Sequence, residues 1–265
     1  MPTLPTFSAL GHGPLVLLLH GSGGGFRAWA PQVETLASLG FRAVAWDMPG
    51  YGHSPPIEPY GFKGLAASCI ALIEALSADT PGGAPVALVG QGMGGMLAQE
   101  VALRRPDLVR QLVLVATAAA VRPGDAYDRY LAQCLAWLDE GKGMTEIADI
   151  LLPRLVGPGA LPEGVQLASY CLATDHGATW RRALQAMRDF DRQAALADIH
   201  VPALLVGGQH DRVSPPARMQ AMAQAIGGAR YAELPGAGHL PHLEHPDAFD
   251  ALLIDFLNQV PARLH

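Results

Sequence analysis

Gly90-Gln91-Gly92-Met93-Gly94-Gly95 stands between the apolar run Pro85-Val86-Ala87-Leu88-Val89 and the helix-forming run Met96-Leu97-Ala98-Gln99-Glu100-Val101-Ala102. A short run that is apolar at every position reads as a strand buried on both faces, and the helical pattern that follows starts with almost no connecting loop. The segment is therefore a sharp strand-to-helix turn. At such a turn the middle residue is held at an unusual backbone angle that lifts its side chain above the sheet. The flanking glycines let strand and helix approach closer than a β-carbon permits. The free N–H groups and dipole of the helix start favour negative charge at this point.

The same alternation extends outward in both directions. Segments 15–20, 42–46, 111–116, 201–207 and 230–234 read as further strands, and 26–39, 62–78, 93–105, 216–226 and 246–260 carry helical spacing. Strand, helix, strand, helix predicts an α/β fold with a mostly parallel central sheet, flanking helices and right-handed crossovers. Before Leu15 the chain is short, and one small strand is expected in 6–10. From 122 to 198 the pattern changes to helices without a strand, punctuated by Gly141, Gly143, Gly157-Pro158-Gly159 and Pro162. This predicts a helical lid, or cap, of three or four helices over the carboxyl edge of the sheet, where open parallel sheets bind ligands. Residues 1–121 and 199–265 would form the core and 122–198 the lid.

Composition narrows the partners. A chain of 265 residues suits one large domain, with roughly three quarters of its unfolded surface buried and no need of a metal or disulfide. The net charge is −6, and the 18 basic residues are scattered, which argues against a nucleic-acid partner. Cys69, Cys134 and Cys171 are odd in number, far apart and in apolar helical stretches, which suits packing in a reducing cytoplasm. The first residues have no basic and apolar signal-peptide pattern, and no stretch approaches the ~20 apolar residues of a membrane span. A cytoplasmic protein acting on a small molecule is expected, as a monomer or homo-oligomer, with neither nucleic acid nor membrane as partner. His210, His242 and His245 lack the spacing of a ligand set, so no metal or other cofactor is expected.

Four further motifs fall in order around the turn. Leu17-Leu18-Leu19-His20-Gly21-Ser22-Gly23-Gly24-Gly25 ends one strand in a glycine-rich loop, and Asp47-Met48-Pro49-Gly50-Tyr51-Gly52-His53-Ser54 ends the next. Gly207-Gly208-Gln209-His210-Asp211 places a carboxylate at a strand tip, and Gly236-Ala237-Gly238-His239 follows the last strand. Together they resemble the α/β-hydrolase superfamily over nearly the whole chain. Within it the likeness is greatest to the 3-oxoadipate enol-lactonase and carboxylesterase group, with the C–C bond hydrolases of ring degradation close behind. The order nucleophile, acid, histidine is that superfamily's order.

The resemblance implies roles for particular residues. Asp211 would orient His239, and His239 would act as general base and acid. Backbone N–H groups of Ser22 and Met93 would form the oxyanion hole, each donor contributing about 3–4 kcal/mol to the transition state. Gly21, Gln91, Tyr127, Trp137 and Trp180 would meet the substrate, with Tyr130, Met144 and Met187 as further lid candidates. His20 would fix the oxyanion loop, and Ser54 and Ser214 would act as turn or cap residues. Arg122, Arg154, Arg181 and Arg188 are candidates to hold a substrate carboxylate, as an enol-lactone requires, or they are solvated helix faces. No acid follows the strand at 111–116, where Thr117-Ala118-Ala119-Ala120 stands, so Asp211 takes that part.

The departure is at residue 92, where the family's serine is replaced by glycine. Three readings fit. The chain is an ester hydrolase disabled by that one change, or it does non-hydrolytic chemistry with a His239–Asp211 dyad (proton abstraction, lyase chemistry or cofactor-free oxygenation). Or it is a ligand-binding pseudoenzyme.

Overall fold

The computed structural model describes residues 4–78 and 85–259. Its centre is a seven-stranded sheet formed by β1 (Phe7–Leu10), β2 (Leu15–Leu19), β3 (Arg42–Trp46), β4 (Val86–Gln91), β5 (Val109–Val115), β6 (Ala203–Gly208) and β7 (Arg230–Leu234). The strand order is β1-β3-β2-β4-β5-β6-β7. Among the described residues of this sheet only β1 runs antiparallel, beside β3, and every other neighbouring pair is parallel.

Strand periodicity sorts the core into two layers, because successive side chains point to opposite faces. Leu17, Leu19, Leu88, Leu112 and Leu114 join one apolar cluster, while Val16, Leu18, Ala87, Val89, Val113 and Val115 join the other. The first face is covered by α2 (Phe62–Ser77), α3 (Met93–Arg104) and α8 (Pro216–Ala225), through Leu65, Leu97 and Met219 among others. The second is covered by α1 (Ala30–Ser38) and α10 (Pro246–Asn258), through Val33, Leu36, Phe249 and Leu253. Along the inner strands β2 to β6 both faces are buried, which is why those strands are largely apolar and not alternating, whereas the edge strands β1 and β7 are partly exposed.

The helix expected over 26–39 is split. A 3-10 turn, Phe26–Trp29, precedes α1, whose first turn contains Pro31. Proline lacks an N–H and fits the start of a helix but not its interior, so α1 begins there. The last residue of the helix expected over 246–260 lies outside the described residues.

Between β5 and β6 the chain passes through α4 (Ala126–Asp139), α5 (Met144–Leu155), α6 (Pro162–Ala173) and α7 (Gly177–Arg188). Asp125 caps α4 by accepting from Asp128 N–H at 2.8 Å, and it also pairs with Arg218 on α8. Arg192, just after α7, reaches Glu100 on α3 at 2.5 Å, and that carboxylate also takes Arg104. A short helix, α9 (Pro241–Glu244), follows the loop that carries His239.

Candidate active site

Gly92 is the last residue before α3 and has φ 53° and ψ −115°, a conformation that L side chains rarely adopt. The turn is pinned from two sides: Gly92 N–H donates to Val115 O at 2.9 Å, and Thr117 Oγ1 donates to Gly92 O at 2.6 Å. Its neighbours must be glycine for lack of space. A β-carbon on Gly90 would lie 2.3 Å from Gly94 O, and one on Gly94 would lie 2.2 Å from Leu19 O. Residue 92 is different. A β-carbon there meets Gly21 Cα, His239 Nε2 and Tyr127 OH, each at 3.8 Å, which is ordinary van der Waals contact.

His239 is buried, and its Nδ1 lies 2.8 Å from Asp211 Oδ2. Asp211 Oδ1 accepts from the N–H groups of Val213 and Ser214, at 2.8 and 2.9 Å, which fixes the carboxylate plane. Ser214 Oγ in turn donates to Thr117 O, tying the acid's loop to the end of β5. With a carboxyl oxygen as its partner, Nδ1 carries the proton and Nε2 turns its lone pair toward residue 92. The fold thus gathers residues 92, 211 and 239 at the carboxyl ends of β4, β6 and β7.

The histidine's backbone is held by Glu244, which motif reading did not single out, and by Gln91, which was expected to meet the substrate. Glu244 Oε2 accepts from Gly238 N–H at 2.8 Å and from Gly157 N–H at 2.6 Å, and Oε1 accepts from Leu240 N–H at 2.8 Å. One buried carboxylate therefore grips both flanks of His239 and the turn between α5 and α6. Gln91 Nε2 donates to His239 O at 3.1 Å, while its Oε1 packs where a side chain on Gly21 would stand. Its amide nitrogen thus braces the histidine loop, while the residue also lines the cavity. Thr117 adds the same kind of brace to Gly92.

The glycine-rich loop is fixed through His20. Met48 N–H donates to His20 Nε2 at 2.9 Å, so the ring's proton is on Nδ1 and donates to Gly21 O at 2.7 Å. Burial, the largest influence, lowers the His20 pKa and keeps the ring neutral, as this pattern requires. Tyr51 OH donates to Ser22 O at 2.8 Å, and the Ser22 side chain is hydrogen-bonded to Tyr130. Met93 opens α3, so its N–H has no acceptor within the helix.

A narrow cavity of about 50 Å³ lies above these groups, walled by Gly21, Ser22, Gln91, Gly92, Met93 and His239 at its floor. Tyr127, Tyr130, Trp180, Leu151, Leu155 and Leu172 close it from α4 to α7. Burial raises the Tyr127 and Tyr130 phenols above their ordinary range, so both remain neutral. Trp137 does not join that wall. It is buried elsewhere among the helices, with the Arg154 guanidinium 5.2 Å from its ring centroid. The arginines considered for a substrate carboxylate are also absent from the wall. Arg122 pairs with Asp191, Arg181 with Asp139 and Arg188 with Asp128. Met187 stands behind Tyr127, its Sδ 3.9 Å from the phenol oxygen.

His242 lines the same cavity and stacks on Trp29, with ring centroids 4.2 Å apart. Burial first, and then the neighbouring His239, lower its pKa to about 3. Among the described residues no group of three or more His, Cys, Asp or Glu side chains could hold a metal ion, and no helix is long and apolar enough to cross a membrane.

The mostly parallel sheet and the residues gathered at its carboxyl edge define an α/β hydrolase. The chain belongs to the alpha/beta hydrolase family, whose model matches residues 16–252. Polyketide synthase ThaQ of Burkholderia thailandensis is 30% identical over 255 residues, which cover 94% of this chain and 12% of that protein. The enol-lactonase from Burkholderia xenovorans LB400 is 28% identical, with a TM-score of 0.82 over 95% of each chain. A thermophilic esterase from Thermogutta terrifontis, solved with malate bound, is 28% identical, with a TM-score of 0.85 over 96% of this chain and 93% of that one. The likeness to the enol-lactonase and esterase group, read first from the motifs, therefore reappears in whole-chain comparison.

Proposed function

We propose that the chain is a carboxylic-ester hydrolase whose acyl-transfer machinery is complete except for the attacking hydroxyl at residue 92. The observation that carries this reading is the 3.8 Å between a β-carbon on Gly92 and His239 Nε2, reached without displacing anything. A hydroxyl one bond beyond that carbon falls within hydrogen-bonding range of Nε2. In the serine form, His239 takes the hydroxyl proton as oxygen attacks the ester carbonyl, with Asp211 stabilising the imidazolium. The oxyanion forms beside the N–H groups of Ser22 and Met93, and His239 then returns the proton to the leaving alkoxide. Water repeats the sequence on the acyl group. No step calls for a metal or organic cofactor.

Residues 122–198 act as the lid in this reading, with Tyr127, Tyr130 and Trp180 closing over a small-molecule substrate. The substrate is neutral and apolar, since among the described residues no arginine or lysine lines the cavity. A carboxylate-bearing enol-lactone would enter unpaired, so an ester fits this wall better. On this reading the unmodified protein is expected to hydrolyse such esters slowly. Gly92→Ser is expected to raise turnover of p-nitrophenyl acetate by about 10⁴-fold or more, the size of a lost member of such a constellation. A well-folded Gly92→Ser protein without that gain would overturn the assignment.

A further inference from the structure

We propose that a second cavity, between the α6–α7 turn and the loops after β2 and β3, is a binding site for a small primary amine in its ammonium form. The inference is independent of any reading of residue 92. This cavity has a volume of about 260 Å³, and neither Gly92 nor His239 lines it. Asp175 and His176 reach it from the turn between α6 and α7, together with Tyr170 on α6. Arg27, Asp47 and His53 line it from the other side. An occupant would therefore hold the helices of 122–198 to the loops at the sheet's edge.

Asp175 is the residue that calls for a ligand. Its Oδ2 is shut off from solvent and has no hydrogen-bond partner, the costly state for a buried acceptor. The polar groups that share the cavity with it are engaged elsewhere. Asp47 accepts from Phe26 N–H through Oδ1 and from Thr6 Oγ1 through Oδ2, at 2.9 Å each. The Arg27 guanidinium lies over two rings, 5.1 Å from the Phe26 centroid and 5.9 Å from that of Tyr170. Thr174 Oγ1 turns its proton back to the carbonyls of Tyr170 and Cys171, at 2.9 and 3.0 Å. Burial first, and then the charge of Asp47, raise the Asp175 carboxyl above the usual carboxylate range. A cation that also brings N–H donors offsets both effects and fills the empty acceptor. A primary ammonium is compact and has three such donors. A divalent metal wants six or more oxygens, and among the described residues no group of three His, Cys, Asp or Glu could hold one. A quaternary ammonium has the charge but no donor.

The experiment uses the unmodified protein with ethylammonium chloride as probe, read by titration calorimetry and by the urea midpoint at fixed ionic strength. Ethylammonium is expected to bind saturably, one per chain, and to raise the midpoint as a ligand of the folded state does. Tetramethylammonium and potassium at the same ionic strength should do neither. Asp175→Asn keeps the shape and removes the charge. It should weaken ethylammonium binding by about 10-fold or more, as for a lost hydrogen bond to a charged group. The ligand-free variant should be at least as stable as the parent, because an unpartnered carboxyl has gone. If that variant does not fold, the comparison of ethylammonium with tetramethylammonium on the unmodified protein decides. Equal response to tetramethylammonium or potassium, no saturable binding, or undiminished affinity in Asp175→Asn would each overturn the proposal. So would a preference for magnesium over the amine. The Tyr60 phenol, also buried without a partner and raised by burial and then by Asp175, is the internal alternative as donor. If it satisfies Asp175 in solution, ethylammonium has no effect and Tyr60→Phe lowers stability, and the site falls.

Discussion

At residue 92 and at residue 244 the same question has opposite answers. Gly92 announces itself, since a glycine amid an otherwise ordered set of motifs is visible in the string of letters. Glu244 does not. A glutamate in Leu240-Pro241-His242-Leu243-Glu244-His245 looks like a solvated helix position until the fold brings Gly157, 87 residues away, onto it. Buried and accepting three backbone N–H groups, it holds the His239 loop in place. Glu244→Ala should destabilise the protein by roughly 3 kcal/mol, because donors to a charged group would be left unpaired. Urea unfolding measures that loss, and in the Gly92→Ser background kcat should fall more than KM changes. His242 yields a pH prediction. Its pKa is about 3 folded against 6.5 unfolded, so between those values the unfolded chain binds the extra proton. The stability from its burial is complete above pH 6.5 and is lost progressively as pH falls toward 3. His20, lowered in the same direction by burial, adds to the slope. Replacing His242 by phenylalanine should flatten the decline in urea midpoint between pH 7 and 5, and an unchanged slope would refute this origin.

Among the secondary-structure elements, the inner parallel strands are plain in the sequence because both of their faces are buried and leave apolar runs, whereas β7 at the edge is partly exposed and carries Arg230 and Glu233. The ends of the strands were less plain. The run at 111–116 begins in the fold at Val109, because Pro106 to Leu108 form a 3-10 turn that delivers the chain directly into β5. The wall of the cavity was only half legible. Tyr127 and Trp180 line it and Trp137 does not, since a helical repeat tells which residues share a face but not which neighbour that face meets. Docking of the α5–α6 turn on the histidine loop was also invisible, although its glycines were noted as punctuation. A β-carbon on Gly157 would lie 2.0 Å from Gly236 O, and one on Gly238 would lie 2.1 Å from Leu155 O. His239 N–H donates to that same Leu155 O at 2.7 Å. Gly157→Ala must therefore lift the turn off the loop, at a cost of about 1–3 kcal/mol as for other overpacked sites. Limited proteolysis should then cut within 122–198 before the rest of the chain, and equal resistance of the variant and the parent would argue against a lid anchored here.

At the scale of the whole molecule, the proposed preference for neutral esters draws on both charge and cavity. The chain carries a net charge of −6, so anions approach against its field, and among the described residues no arginine or lysine stands in the cavity wall to receive them. The four arginines that sequence reading offered for that task are either ion-paired or stacked on Trp137, outside the wall. An unpaired carboxylate pushed among Leu151, Leu155 and Leu172 would lose its hydration with nothing in return, the costliest kind of burial. In the Gly92→Ser protein, a neutral aryl butyrate should therefore be preferred over the same ester bearing a terminal carboxylate by about 10²-fold in kcat/KM. The estimate corresponds to about 2.7 kcal/mol of differential binding, a small part of the full desolvation cost. Added salt separates the two contributions, because screening removes long-range repulsion but leaves the penalty of burial. If 0.5 M salt, about three times the ~0.15 M ionic strength that sets a Debye length of about 8 Å, erased the preference, the field alone would explain it. A preference that survives salt places the discrimination in the wall of the cavity, and a variant with an arginine at Leu151 should then narrow it.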